Sequence, residues 1–157
     1  MLPALMAAEI LAPAPAVAEC YDPPSAYVIW AKCNFARKNF EGANLKGAVL
    51  EDAVLHHSKL KGANLEKADL RGADLSNADM SGVNLKNTKL MKAILTNTNL
   101  AGADLSGADL TGANLERANL TGAKIDGAKF GAVRMSGAMW TDGKTKCKGG
   151  SVGECKR

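Results

Sequence analysis

The stretch AGADLSGADLTGANLERANLTGAKI, residues 101–125, decides how this chain can fold. A large apolar residue returns in it at every fifth position, four times as Leu and finally as Ile125. An amphipathic helix repeats its apolar face about every 3.6 residues, and a half-buried strand repeats it about every 2 residues. A period of five fits neither element, so the chain has to combine short extended pieces with turns.

The same period runs through most of the sequence. Every position divisible by five from Trp30 to Trp140 is apolar, with Ala often two positions earlier and Asn or Asp between them. In extended backbone, residues two apart share a face, so Ala and Leu point one way and Asn or Asp points the other way. Gly often follows two positions after Leu and tolerates the turn needed before the next unit. The pattern predicts a narrow tube filled by Ala and Leu.

Two other repeat architectures explain the pattern less well. Leu residues five apart would rotate around a helix instead of forming a stripe, and the repeated Gly, Asn, Asp and Thr lower helix propensity. A leucine-rich repeat has a longer and uneven spacing. The sequence therefore favours an all-β solenoid over either alternative.

The units of Ala, then Asp or Asn, then Leu and two further residues resemble those of the pentapeptide-repeat family over residues 33–142. The resemblance implies a right-handed quadrilateral β-helix with four units in each coil, hence about five coils. Residues twenty apart would then stack, and at about 4.8 Å per coil the rod would be about 25 Å long. On one face this stacking would place Asp69, Lys89, Asp109 and Lys129 above Val49, with alternating charges from Asp69 onward.

Three further segments surround the expected β-helix. Residues 1–18 are apolar and end in Ala16-Val17-Ala18, which fits the cleavage rule of a secretory signal peptide. Glu9 and the absence of an early positive charge argue against that interpretation, and an apolar leader without a targeting role is the alternative. Residues 19–32 are expected to form an N-terminal cap segment, and residues 143–157 a Cys-containing C-terminal tail.

The four cysteines are Cys20, Cys33, Cys147 and Cys155, and their even number suits an oxidising compartment. A periplasmic or secreted location is expected, with a cytoplasmic one as the alternative. Bridged Cα atoms lie within about 4.4–6.8 Å of each other, much less than the length of the expected rod. Unless the tail folds back along the rod, the pairs should therefore be Cys20–Cys33 and Cys147–Cys155.

Some positions depart from the repeat. Lys38 occupies an inward slot, which predicts an open or irregular first coil, and Ser58, Thr88 and Thr98 place hydroxyls in inward Ala slots. Each hydroxyl is expected to bond a nearby carbonyl. A solenoid has to cover its terminal apolar layers, and the role of structural end cap is assigned to Trp30 and Trp140, with the neighbouring aromatics Phe35, Phe40 and Phe130.

The sequence offers little chemistry. His56 and His57 are adjacent, but the positions expected above and below them carry no further ligands, so they are interpreted as surface residues. Catalytic residues, cofactor-binding residues and metal ligands are not expected, and a tube filled by its own side chains leaves no cleft for a substrate. The chain is therefore expected not to be an enzyme.

Two functions stay open at this level. One is a non-catalytic structural or protein-interaction scaffold with an unknown protein partner, no specific nucleic acid, no transmembrane segment and an end-to-end dimer as one possible assembly. The resemblance also brings an alternative, a DNA-mimicking, gyrase-interacting protein of the quinolone-resistance type. Those mimics are strongly acidic, whereas residues 33–142 carry 14 Lys and Arg against 12 Asp and Glu, a net charge of +2.

Overall fold

The computed structural model describes residues 20–157. The expected signal peptide, residues 1–18, lies outside the described residues. Across 20–157 the backbone pairs through isolated parallel bridges, without a continuous strand or helix, and turns separate the bridges at five-residue intervals. This is the extended-side-and-corner geometry that the five-residue period predicts.

The bridges join residues twenty apart, so a coil contains twenty residues and has four faces. Each face is named here by the bridged residues that stack along it. The first face carries 29, 49, 69, 89, 109 and 129; the second carries 34, 54, 74, 94, 114 and 134; the third carries 39, 59, 79, 99, 119 and 139; the fourth carries 44, 64, 84, 104 and 124.

One unit illustrates the hydrogen bonding that holds the coils together. The Leu50 N–H donates to the carbonyl of Asp69 (2.7 Å), and the Asp69 N–H donates back to the carbonyl of Ala48 (2.8 Å). Within the coil, the Ala48 N–H closes a turn on the carbonyl of Leu45 (3.0 Å). Because this pattern repeats in successive units, backbone groups buried between coils are paired, as a stable fold requires.

Each corner places one residue in the left-handed region of backbone conformation, two positions after the apolar residue. Gly72 has φ of 67°, and Lys67 has φ of 60°. Side chains rarely adopt this conformation without strain, which explains the frequent Gly at this position. At Gly72 the lack of a side chain matters a second time, because the Asp52 carboxylate lies where a Cβ would be.

Buried apolar side chains fill the interior. Leu65, Leu85 and Leu105 are fully buried, and so are Ala63 and Ala103 in the inward slots two positions before Leu65 and Leu105. Of the three inward hydroxyls, Thr88 and Thr98 donate to the carbonyls of Leu65 and Leu75, each at 2.8 Å. These two bonds were expected.

Two expectations for the N-terminal coils are wrong. The buried Ser58 hydroxyl has no hydrogen-bond partner among residues 20–157, because Ser lacks the methyl group and rotamer preference that hold Thr in place. The coil at Lys38 is not open, since the Lys38 carbonyl accepts the Lys59 N–H at 2.9 Å and the ladder continues. Only the Lys38 side chain leaves the interior, and it is exposed.

Aromatic residues gather at both ends of the rod. Trp30 is 1% exposed and packs against Phe35 and Phe40, with ring centroids 4.4 and 5.4 Å away. At the other end Trp140 is only partly buried and meets Phe130 at 5.8 Å. The cysteines are paired locally, Cys20 with Cys33 (Cα–Cα 5.5 Å) and Cys147 with Cys155 (4.9 Å), which are the pairs that the sequence led us to expect.

The first and last bridges can be located relative to the segments 19–32 and 143–157. The first bridge is at Ile29, within the expected cap segment, because backbone pairing needs only extended backbone and not the full repeat pattern. At the other end the left-handed corner residue is Gly143 and not residue 142, so the five-residue rhythm shifts by one position. The tail then reverses and pairs antiparallel with the last coil, Lys146 with Met139 and Val152 with Arg134.

Candidate interaction surfaces

The described part of the chain contains no candidate metal centre. No cluster of three or more His, Cys, Asp or Glu side chains within residues 20–157 could hold a metal ion. His56 and His57 lie on the surface with ring centroids 5.5 Å apart. None of the residues from 20 onward forms a helix with the length and apolarity to cross a membrane.

The first face carries stacked charges. Lys89 Nζ lies 3.5 Å from Asp69 Oδ2, and Lys129 Nζ lies 3.4 Å from Asp109 Oδ2. The bridges Asp69–Lys89, Lys89–Asp109 and Asp109–Lys129 confirm the twenty-residue stacking of this face. The charges meet in two pairs and not in one continuous chain, because each Lys reaches down to the Asp below it.

Several carboxylates are held in their charged form by neighbouring donors. Partial burial alone would raise the pKa of Asp69, but hydrogen bonds from Arg71 and the charges of Arg71 and Lys89 lower it below its usual value. Hydrogen bonds from Ser106 and the Lys86 ammonium lower the pKa of Asp104 in spite of some burial. These carboxylates are anchored by local bonds, so they are structural groups and not poised acids or bases.

Amide side chains stack on the other polar faces. On the third face, Asn99 Nδ2 donates to Asp79 Oδ1 (3.0 Å), and Asn119 Nδ2 donates to Asn99 Oδ1 (3.2 Å). On the fourth face, Asn84 Nδ2 donates to Asn64 Oδ1 at 3.1 Å. Side chains bonded along the rod have few donors left for a ligand, so these faces are rigid surfaces with a fixed pattern of polar atoms.

The C-terminal end of the rod differs from the remainder in charge. Residues 20–116 contain 11 Lys and Arg against 11 Asp and Glu, whereas residues 117–157 contain 9 against 3. Residues 117–157, which form the last coil and the tail, therefore carry a net charge of +6. We name this segment the basic end. The sequence reasoning missed this feature because the modest net charge of the whole chain conceals where it lies.

A groove of about 530 Å³ runs beside the basic end on the third face. Its lining includes Arg117, Asn119, Met139 and Lys146. Asn119 is already bonded, because Asn119 Oδ1 accepts the Thr121 N–H and hydroxyl. The groove is open to solvent and belongs to the same positive surface.

Comparison with known proteins now identifies the repeat. The family model described as pentapeptide repeats matches residues 33–72, 58–97 and 98–137, with 8 copies in all. The chain belongs to the pentapeptide-repeat family. None of the curated proteins compared with it matches.

Solved structures of pentapeptide-repeat proteins resemble this one. Rfr23 from the cyanobacterium Cyanothece 51142 is 42% identical, with a TM-score of 0.54 over 54% of this chain and 58% of that one. A protein from the Arabidopsis thaliana thylakoid lumen is 31% identical, with a TM-score of 0.58 over 63% and 67%. A trypsin-treated form of QnrB1, a plasmid-mediated fluoroquinolone resistance protein, is 25% identical, with a TM-score of 0.70 over 74% and 60%.

These neighbours establish that the fold is a solenoid, but they do not assign an activity or a partner to this chain. This pentapeptide-repeat protein spans a little over half the length of Rfr23, so the activity and partners of a whole relative are not carried over. The pentapeptide-repeat fold, a right-handed quadrilateral β-helix, is shared by a fluoroquinolone resistance protein and a protein of the thylakoid lumen. Function therefore has to be argued from the faces and ends of this particular rod.

Proposed function

We propose that this pentapeptide-repeat protein is a non-catalytic interaction scaffold that works in an oxidising compartment outside the cytoplasm. The observation that carries the proposal is the filled interior, where Ala and Leu from successive coils are fully buried. A ligand cannot enter such a core, so a partner has to meet the outer faces or the ends. Fixed ladders of charges and amides make those faces rigid, which lowers the entropy cost of binding.

The two disulfides support the location outside the cytoplasm. Each joins cysteines 13 or fewer positions apart in sequence and lies at one end of the rod. Such bridges persist in oxidising compartments and are rare in the cytosol. The likeness to a protein of the thylakoid lumen points in the same direction.

The test is the redox and processing state of the protein in its native host. Fractionation followed by peptide mapping without reductant should recover the Cys20–Cys33 and Cys147–Cys155 peptides from an extracytoplasmic fraction. Intact mass should correspond to a chain that begins at Glu19. A cytoplasmic protein with four free thiols and residues 1–18 still attached would contradict the proposal.

A DNA-mimicking, gyrase-interacting protein is the second candidate, and the likeness to QnrB1 is the observation in its favour. Its mechanism requires an acidic rod that imitates the phosphate backbone. Here residues 20–116 are electrically balanced and the C-terminal end is basic, so the charge pattern opposes that role. We expect purified protein at micromolar concentration neither to inhibit gyrase supercoiling nor to protect it from a quinolone.

A further inference from the structure

The last coil leaves part of its backbone unpaired. One coil earlier, the Leu105 N–H donates to the Lys124 carbonyl (2.8 Å) and the Gly107 N–H to the Asp126 carbonyl (2.9 Å). The equivalent donors of the last coil are the N–H groups of Ile125 and Gly127, and they have no acceptor within residues 20–157.

The next side of the same coil is open in the same way. The Leu110 and Gly112 N–H groups are bonded to the coil above them, at 2.9 and 2.8 Å. Their counterparts Phe130 and Ala132 have no such bond in the part of the chain that the structure describes, but Gly153 of the tail lies against the Ala132 nitrogen and partly covers this end of the side. Unpaired backbone at the edge of a sheet is a template for another extended chain. We name the segment 123–132 the open edge.

The first coil also has N–H groups without an acceptor among residues 20–157, those of Asn34, Asn39 and Asn44, and at the C-terminal end the tail determines which sides stay open. The tail pairs antiparallel with the second and third faces, through Val152 with Arg134 and Lys146 with Met139. The first and fourth faces end instead at Lys129 and Lys124, which have no residue paired above them among those described. The cap of the rod therefore covers two of its four sides.

The apolar interior is also less covered at the open edge. Leu105 and Leu110 are fully buried, whereas Ile125 and Phe130, their counterparts one coil higher, are partly exposed. Trp140 beside Phe130 is partly exposed as well. An occupant of the open edge would gain apolar contact in addition to backbone hydrogen bonds.

The charges around the open edge indicate what that occupant would be. Three exposed acids, Asp126, Asp142 and Glu154, are outnumbered at this end by exposed cations: Lys124, Lys129, Arg134, Lys144, Lys146, Lys148, Lys156 and Arg157. A second copy presenting the same end would bring +6 against +6, which disfavours the symmetric end-to-end dimer. A flat membrane would cover the unpaired N–H groups without the aligned carbonyls of a strand.

We infer that the open edge is a docking site for an extended, acidic segment of a protein partner, which pairs with the last coil as an added strand. The inference rests on the proposed scaffold role and names the chemistry of the partner. Carbonyls of the segment accept from Ile125, Gly127 and Phe130, and its Glu or Asp side chains meet the surrounding Lys and Arg residues.

A soluble peptide of eight residues alternating Glu and Thr is the probe. Added to isotopically labelled, oxidised full-length protein, it should shift the amide resonances of Ile125, Gly127 and Phe130 and slow their hydrogen exchange. A peptide alternating Lys and Thr should bind at least tenfold more weakly, because its charge is reversed. A peptide alternating Glu and Pro should also bind more weakly, because it lacks half of the N–H groups and the strand conformation.

Two triple variants separate the basic end from general charge. Lys144→Glu, Lys146→Glu and Lys148→Glu together should weaken binding at least tenfold at low salt. The matched control, Lys59→Glu, Lys61→Glu and Lys67→Glu, makes the same change in the balanced part of the rod and should leave binding within about twofold, since distant charges are screened. Equal losses in the two variants would overturn the inference.

Other partners are outcomes of the same experiment. Binding to vesicles containing anionic lipid, or to a DNA duplex, without binding to the acidic peptide would overturn the inference. So would amide shifts confined to residues outside 123–132. Failure here is distinguishable from failure of the scaffold proposal, which depends on disulfide mapping and cell fractionation and not on this peptide.

Discussion

Lys89 Nζ lies 3.5 Å from the carboxylate of Asp69, a residue twenty positions earlier in the chain. The next residue on the same face is Asp109, whose backbone is bridged to Lys89. Lys89→Asp would therefore stack three acids, and we expect it to melt below Lys89→Ala, with a difference under about 1 kcal/mol because the pair is exposed.

Salt provides the control for this charge effect. The difference in melting temperature between Lys89→Asp and Lys89→Ala should be largest at low ionic strength. It should shrink in about 1 M salt, where the screening length falls to about 3 Å. Equal melting temperatures at low salt would show that the stacked charges do not interact.

Ser58 and Thr98 occupy equivalent inward slots but differ in hydrogen bonding. The Thr98 hydroxyl donates to the Leu75 carbonyl, whereas the Ser58 hydroxyl is buried without a partner among residues 20–157. Thr98→Val should cost about 1 kcal/mol of unfolding free energy. Ser58→Ala should be neutral or stabilising, because it removes a buried polar group that has no partner. Chemical denaturation of both variants measures the contrast, and a Ser58→Ala loss as large as that of Thr98→Val would contradict it.

The corner residues predict opposite effects of glycine and alanine. Lys67→Gly should raise the free energy of unfolding by up to about 1 kcal/mol, because Lys67 has φ of 60°. Glu66→Gly, one position earlier and outside the left-handed region, should lower the free energy of unfolding.

Gly62→Ala should lower the free energy of unfolding by about 1 kcal/mol through the backbone alone, since a Cβ there meets open space.

Gly72→Ala should cost more than Gly62→Ala. Both glycines have nearly the same φ, 67° and 65°, but the new methyl group at Gly72 would displace the Asp52 carboxylate. Thermal unfolding of the two variants compares the two effects at matched backbone geometry. Equal losses would mean that Asp52 moves aside at no cost.

Asp142 begins the turn into the tail, and its carboxylate accepts the Thr145 hydroxyl and the N–H groups of Thr145 and Lys144. These hydrogen bonds, with the Thr145 hydroxyl contributing most, lower the pKa of Asp142 from 3.8 to about 2. A lowered pKa means that the charged carboxylate stabilises the fold above pH 3.8 and that this contribution is lost as the pH falls toward 2.

The corresponding experiment is an acid titration followed by hydrogen exchange at Thr145. After correction for the intrinsic exchange rate, the Thr145 amide of the natural protein should be protected at pH 4 and should lose that protection toward pH 2. Asp142→Asn keeps an oxygen acceptor without a titrating charge, so its exchange should vary less over that range after correction for intrinsic rates. An Asp142 carboxyl that titrates near 3.8 by NMR would contradict the assignment.

The rod could be predicted largely from sequence, because the residue type at each position of the five-residue unit indicates whether that position is buried, exposed or in a turn. Leu returns where the interior needs volume, Gly marks the left-handed corners, and Lys89 follows Asp69 by one coil. The ends obey no such rule. Pairing of Lys146 with Met139 depends on the tail reversing at Gly143, and a single shifted corner carries no periodic signal.

The open edge could not be foreseen for the same reason. Ile125 and Phe130 continue the repeat in sequence, and their exposure depends on which sides the tail covers. The basic end had a visible signal, since nine cations lie after residue 116, but its meaning required the position of the tail against the last coil. Ser58 shows a further limit, because the slot predicts burial but not the orientation of the hydroxyl.

The twenty-residue coil also determines which length changes the chain can absorb. Duplication of a whole coil would lengthen the rod and leave every downstream residue on its present face, as Asp69 and Lys89 are on theirs. Insertion of a single unit of five would keep the interior filled but rotate everything beyond it by a quarter turn. If the unit were inserted between Asp69 and Lys89, Lys89 would move from the face of Asp69 to a neighbouring face. Such a protein can therefore gain length without losing its surface only in steps of four units.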